Sequence, residues 1–141
     1  YNPKYFTVLY EKIYPLRNPK DSLFRTRDQL VVTGLLDGDT TTIIVNHWPS
    51  RYGGEKRSLP TRILAAKLGR RTVDSLLTMN PDAHILYMGD LNADPTDPSL
   101  SKYLGITGDK DRLDFHTPNR PGTHGLAAPE KTPVDKRISI P

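Results

Sequence analysis

The sequence predicts an α/β layered sandwich built on a mixed β-sheet. Three observations carry that expectation: two β-rich runs that meet at Asp37-Gly38-Asp39, a stretch of helical apolar spacing between Ser58 and Met79, and an apolar run over 83–90 that stops in turn formers. Strand, hairpin, helix, strand is the order that a sheet covered by a crossover helix requires.

Residues 4–10, KYFTVLY, have the aromatic and β-branched composition of a strand, and the PLRNPKDS that follows is loop chemistry. In QLVVTGLLDGDTTTIIVNHW, Asp-Gly supplies the positive φ angles of a tight hairpin turn, so residues 29–36 and 40–48 pair antiparallel. Both runs are too apolar to have one wet face, which predicts a central position or a sheet covered on both sides. Ser58 with Pro60 marks a helix entry, and Ala65, Gly69, Val73, Leu76 and Leu77 continue the apolar face until Met79-Asn80-Pro81 stops it. The small residues at 65 and 69 let this helix lie close on the sheet, while Arg62, Arg70 and Arg71 are expected to point elsewhere. AHILYMGD, 83–90, reads as a buried strand that ends in GDLNADPTDPS. The five prolines between Pro118 and Pro141 predict a loop-rich or poorly ordered stretch over 118–141.

With 141 residues, 35% of them apolar and 26% charged, the chain has the composition of one soluble globular unit with a single core. No apolar run reaches membrane-spanning length, and no charged segment followed by an apolar one opens the chain. The opening YNPKYFTVLY reads as chain already under way. Cysteine is absent, which excludes disulfides and thiolate metal sites and leaves the compartment open. The formal net charge is +4, yet residues 51–71 carry Arg51, Lys56, Arg57, Arg62, Lys67, Arg70 and Arg71 against Glu55 alone. Such a field favours anionic partners, although a solvated helix face gives the same count.

Two strand ends carry the chemistry. In MGDLNADP, Asp90 and Asn92 stand just past a strand's carboxyl end, where ligand sites in open α/β sheets gather. A carboxylate there can hold a hard cation or take a proton from water, and an amide beside it can fix the water or a phosphate oxygen. Good turn chemistry would produce the same residues. In VNHWPSRYGG, Asn46, His47, Ser50 and Arg51 fall at another strand end, with donors suited to phosphate oxygens. If the two strands are neighbours with matching direction, His47 and Asp90 flank one cleft.

NHWPSR, followed by a basic helix and then HILYMGDLNADP, resembles the endonuclease/exonuclease/phosphatase superfamily, and TRDQLVVTGLLDGDTTTIIVNHWPSRYGG resembles its bacterial members. The likeness covers roughly residues 1–100. It implies a four-layer α/β sandwich with mixed, largely antiparallel sheets, and hydrolysis of phosphoesters with Mg²⁺ or Mn²⁺. It further implies that Asp90 orients or deprotonates the attacking water or binds the metal, that Asn92 holds the scissile phosphate, and that His47 contacts the phosphate or protonates the leaving oxygen. Asn46, Ser50 and Arg51 are expected near the phosphate, and the implied partner is a phosphoester substrate, with nucleic acid among the candidates.

The chain also departs from that pattern. The family's early strand-end asparagine and metal-binding glutamate belong upstream of the matched region and have no counterpart. Its closing Ser-Asp-His is missing, and in KRISIP Ser139 stands where an aspartate would be. The expectation is therefore a partial domain over 1–141, active in a longer parent and weakly active by itself. A calcineurin-like metallophosphatase also uses Gly-Asp and Asn-His elements, but with Gly-Asp first, the reverse of the order here. From another class comes a non-catalytic module that binds nucleic acid or an anionic surface through the basic 51–71 segment, with Trp48 and Tyr52 as stacking groups. An inactive scaffold is a third reading.

Overall fold

The computed structural model describes residues 2–106. Within them four strands, β1 (Phe6–Tyr14), β2 (Gln29–Leu36), β3 (Asp39–His47) and β4 (His84–Asp90), form one sheet in the order β1-β2-β3-β4. Asp37 and Gly38 take φ angles of 50° and 95°, and the hairpin closes on the Leu36–Asp39 pair as the Asp-Gly signal demands. β1 adds antiparallel to β2, with a bulge between Val8 and Tyr10, and runs four residues further than its strand composition suggests. β3 and β4 are parallel, so the chain between them must cross over. The helix α1 (Glu55–Met79) makes that crossing. A π-helical turn over Ser99–Leu104 follows β4. The sheet is mixed and largely antiparallel, with β2 and β3 central.

One face of the sheet packs on α1. Val31, Ile44 and Val73 form one buried cluster, while Leu16, Trp48, Ala65, Ala66, Leu100, Leu104 and Ile106 form another under the strand ends. Fully burying a side chain of the Val, Ile or Leu type contributes about 1.5–3 kcal/mol, so these few contacts set the helix on the sheet. Inside this layer Gln29 donates to Asn46 Oδ1 at 3.0 Å and accepts from the Thr72 hydroxyl at 2.8 Å. The opposite face is apolar too but lacks a comparable cover among the described residues, where Val45, Leu86 and Met88 keep 38–49% of their surface exposed. Coverage on one side is therefore what the described residues provide. No described helix is long and apolar enough to cross a membrane.

Two local expectations are corrected. The helix begins at Glu55, three residues before Ser58, with Gly54 at its cap and Pro60 inside it. Ser58 lies within the helix, its hydroxyl donating to the Gly54 carbonyl at 2.9 Å. Arg62 does not point away from the core but is fully buried, because three groups meet it there. It donates to Ser58 Oγ at 2.8 Å and Asp97 Oδ2 at 3.2 Å, and pairs with Glu55. The expectations for 118–141, including Ser139 in KRISIP, lie outside the described residues.

Candidate active site

Because β3 and β4 are parallel and in register, His47 pairs with Asp90 and both strands end side by side. Alternation along β3 turns Ile44 toward α1, hence Val45 and His47 to the other face. The His47 Nε2 lies 3.9 Å from Asp90 Oδ2, with both side chains about half exposed. Asp90 divides its oxygens: Oδ1 accepts the Asn92 amide at 3.0 Å, and Oδ2 faces the imidazole.

The same alternation takes Asn46 away from this pair. It is buried on the helix side, held by Gln29 and 3.4 Å from the Ile44 carbonyl, so the structure does not bring it to the His47–Asp90 pair. Ser50 is exposed and its Oγ accepts from the Tyr52 amide at 3.4 Å. Arg51 is engaged by the loop after β4: it donates to the Asn92 carbonyl at 3.0 Å and to Asp94 at 2.8 Å. That Asp94 bond, despite some desolvation, raises the guanidinium above its already basic range. Asn92, at a φ of 48°, donates one side-chain N–H to the Trp48 carbonyl at 3.0 Å. The Trp48 amide in turn donates to the Asp90 carbonyl at 2.9 Å. The loops after β3 and β4 are thus stitched together beneath the two facing side chains.

The basic 51–71 segment does not present its charges as one stripe. Ion pairs engage Arg51, Arg62 and Arg70, the last with Asp74 at 2.6 Å, and Lys67 lies over the Tyr103 ring. Trp48 is buried under α1 and cannot stack on a base, whereas Tyr52 is almost fully exposed.

Sequence reading missed Glu55, Arg62 and Asp97. With the helix taken to start at Ser58, the acid at 55 fell outside it, although 55 and 62 are two turns apart on one face. Asp97-Pro98-Ser99 was a usable signal, an Asx residue poised to cap a helical turn. Its Oδ1 accepts both the amide and hydroxyl of Ser99, at 2.8 and 2.7 Å. Burial pushes the Asp97 carboxyl up, but the Ser99 bonds and the Arg62 charge outweigh it and hold the group below its ordinary value of 3.8. A depressed value means stability that is fully present above that ordinary value and is lost as pH falls through the lower one. Asp97→Asn is therefore expected to flatten the acid limb of melting temperature against pH below about pH 4. Circular dichroism melts across the acid range check this, and an unchanged acid limb would show that Asp97 does not carry it.

Among the described residues no group of three or more His, Asp or Glu side chains is placed to hold a metal ion. Asp90 Oδ2 is the carboxylate oxygen this cleft offers a hard cation, which commonly keeps several waters and binds through one or two carboxylates plus substrate phosphate. The donor fits such an ion in kind.

A mixed α/β sheet with facing polar side chains at the carboxyl ends of two parallel strands defines the class: an α/β protein whose candidate site lies at those strand ends. The Endonuclease/Exonuclease/phosphatase family model matches residues 1–117, and the chain belongs to that family. Similar solved structures include truncated TDP2 of Caenorhabditis elegans (21% identity, TM-score 0.56, covering 74% of this chain and 38% of that one). Sphingomyelinase C from Streptomyces griseocarneus is similar at 14% identity and TM-score 0.56, covering 72% of this chain and 37% of that one. The human nocturnin catalytic domain is similar at 18% identity and TM-score 0.51, covering 74% and 38%. At these identities the likeness establishes the fold alone. The chain spans 37–38% of the length of these structures. No curated protein matches the chain.

Proposed function

We propose that the protein to which this chain belongs is a metal-dependent phosphoester hydrolase, a nuclease or phosphatase, with His47 and Asp90 at its reacting centre. The observation that carries the reading is the 3.9 Å approach of imidazole and carboxylate at two parallel strand ends. Family membership agrees with it.

In this reading Asp90 Oδ2 takes the proton of a water that attacks phosphorus. His47, entering the step protonated, gives its proton to the leaving oxygen as the phosphorus–oxygen bond breaks. The proton on Asp90 then passes to His47 through one bridging water, because 3.9 Å is beyond direct hydrogen-bond reach, and both groups are restored. Asn92 spends one side-chain N–H on the Trp48 carbonyl and keeps the other for a phosphate oxygen. Arg51 sets the loop that carries Asn92 more than it binds substrate, because Asp94 already claims it. A Mg²⁺ or Mn²⁺ ion would supply charge neutralisation at the phosphate oxygens; with Asp90 Oδ2 as its ligand, Asp90 would orient the attacking water instead of taking its proton. The apolar sheet face opposite α1 would take a second sheet, completing the four-layer sandwich. Nucleic acid is one candidate substrate.

The test is hydrolysis of bis(p-nitrophenyl) phosphate by the full-length protein. His47→Ala is expected to lower turnover by about 10²-fold or more, and chelation with EDTA to stop it until Mg²⁺ or Mn²⁺ is returned. Undiminished turnover in the His47→Ala protein would sink the acid–base assignment. The binding-module reading is weaker, because Arg62 is buried and Arg51 and Arg70 are ion-paired.

A further inference from the structure

We propose that Arg62 and Asp97 are positioning residues: as a buried clamp they fix the Asp90–Asp97 segment against the first two turns of α1, and so aim Asp90 and Asn92 into the cleft. The inference rests on the phosphoester reading for its functional consequence, but its structural part can be tested apart from it.

A guanidinium with no exposed surface calls for an explanation. Its side chain is 0% exposed and that of Asp97 is 5% exposed. Two ions taken out of water give up hydration that their mutual attraction only roughly restores, and an apolar pair of similar volume packs as stably. What the ionic pair adds is direction. Arg62 reaches Ser58 and Glu55 on its own helix, and Asp97 on the segment after β4, so it joins elements far apart in sequence.

Asp97 is fixed through both oxygens. Oδ2 accepts from Arg62, while Oδ1 caps the turn whose Leu100 and Leu104 are buried beside Trp48. Arg51 stands 3.9 Å from the same Oδ2 and carries the restraint onward to the Asn92 carbonyl and Asp94. Asn92 is consequently held on three sides: its amide by Asp90, its side chain by the Trp48 carbonyl, its own carbonyl by Arg51. It adopts a left-handed φ of 48°, a conformation that asparagine tolerates better than most residues and that these three bonds hold in place. The clamp supports those bonds from behind, without touching substrate.

The experiment compares Arg62→Met/Asp97→Asn with Val73→Ala in the full-length protein. The double variant removes both charges together, leaves no buried ion unpaired, and retains an acceptor for Ser99. Val73→Ala makes a cavity in the same helix, away from the loop. The double variant is expected to speed amide hydrogen exchange at Asn92 and Trp48 at least about tenfold. It is also expected to lower kcat on bis(p-nitrophenyl) phosphate by about tenfold to a hundredfold with KM shifted less than about twofold. Val73→Ala should lower the melting temperature and do neither. Exchange at both amides as slow as in the unaltered protein, or a kcat loss no greater than that of Val73→Ala at equal stability, would overturn the clamp. Should Asp90→Ala retain full cleavage, the phosphoester reading fails, and the exchange rates alone decide whether the clamp orders the loop.

Discussion

Replacing Asp90 with alanine is expected to lower phosphodiester turnover of the full-length protein by about 10²–10⁴-fold, the range associated with a positioned acid or base. Two functions leave with that carboxylate. Oδ2, facing His47, no longer takes a proton, and Oδ1 no longer holds the Asn92 amide. Asp90→Asn separates them, because an asparagine still offers Oδ1 to Asn92 while its NH₂ cannot act as a base. Its turnover is expected to fall nearly as far as that of Asp90→Ala. Its melting temperature should stay near the unaltered value, since one exposed hydrogen bond is worth only about 0.5–1.5 kcal/mol. Steady-state kinetics with parallel melts check both statements. An Asp90→Asn protein that turns over at the unaltered rate would remove the carboxylate from the chemistry.

Gly89→Ala is expected to cost about 3 kcal/mol or more and to take activity down with stability. Gly89 immediately precedes Asp90 and adopts a φ of 125°, a region that side chains of L residues rarely enter, at a cost of about 1–3 kcal/mol. A Cβ there would also overlap the Asn46 carbonyl, a backbone atom that cannot swing aside. The relief available is to push β4 away from β3, which separates Asp90 from His47. Urea unfolding measures the loss, and the sheet register at Asn46–Gly89 identifies its place. A Gly89→Ala protein with unaltered stability would mean that the strand end tolerates a side chain where the geometry leaves no room.

Much of this fold could be read from local chemistry. Asp37-Gly38 fixed the hairpin because only a few residues accept positive φ at a two-residue turn. Met79-Asn80-Pro81 fixed the helix end for an equally local reason, as proline cannot continue it. The pairing of His47 with Asp90 was legible only on the condition that their strands are parallel neighbours, and the sheet meets that condition. Three residues were misread for the opposite reason. Asn46 sits beside His47 in sequence, but strand alternation sends it to the other face, toward Gln29. Ser58 has the chemistry of a helix cap and instead lies inside the helix, against Arg62. Arg62 has the chemistry of a solvated charge and is buried, because Asp97 comes from 35 residues away to meet it.

By itself, then, the amino-acid order determined what depends on nearest neighbours: turns, strand and helix runs, and the donors and acids gathered at two strand ends. Tertiary structure decided which of those groups share a face and which charges are withdrawn from water. The reason is physical. A backbone angle or a turn is settled by a few adjacent atoms, whereas the burial of Arg62 and the aim of Asp90 depend on partners brought close only when α1 closes over the sheet.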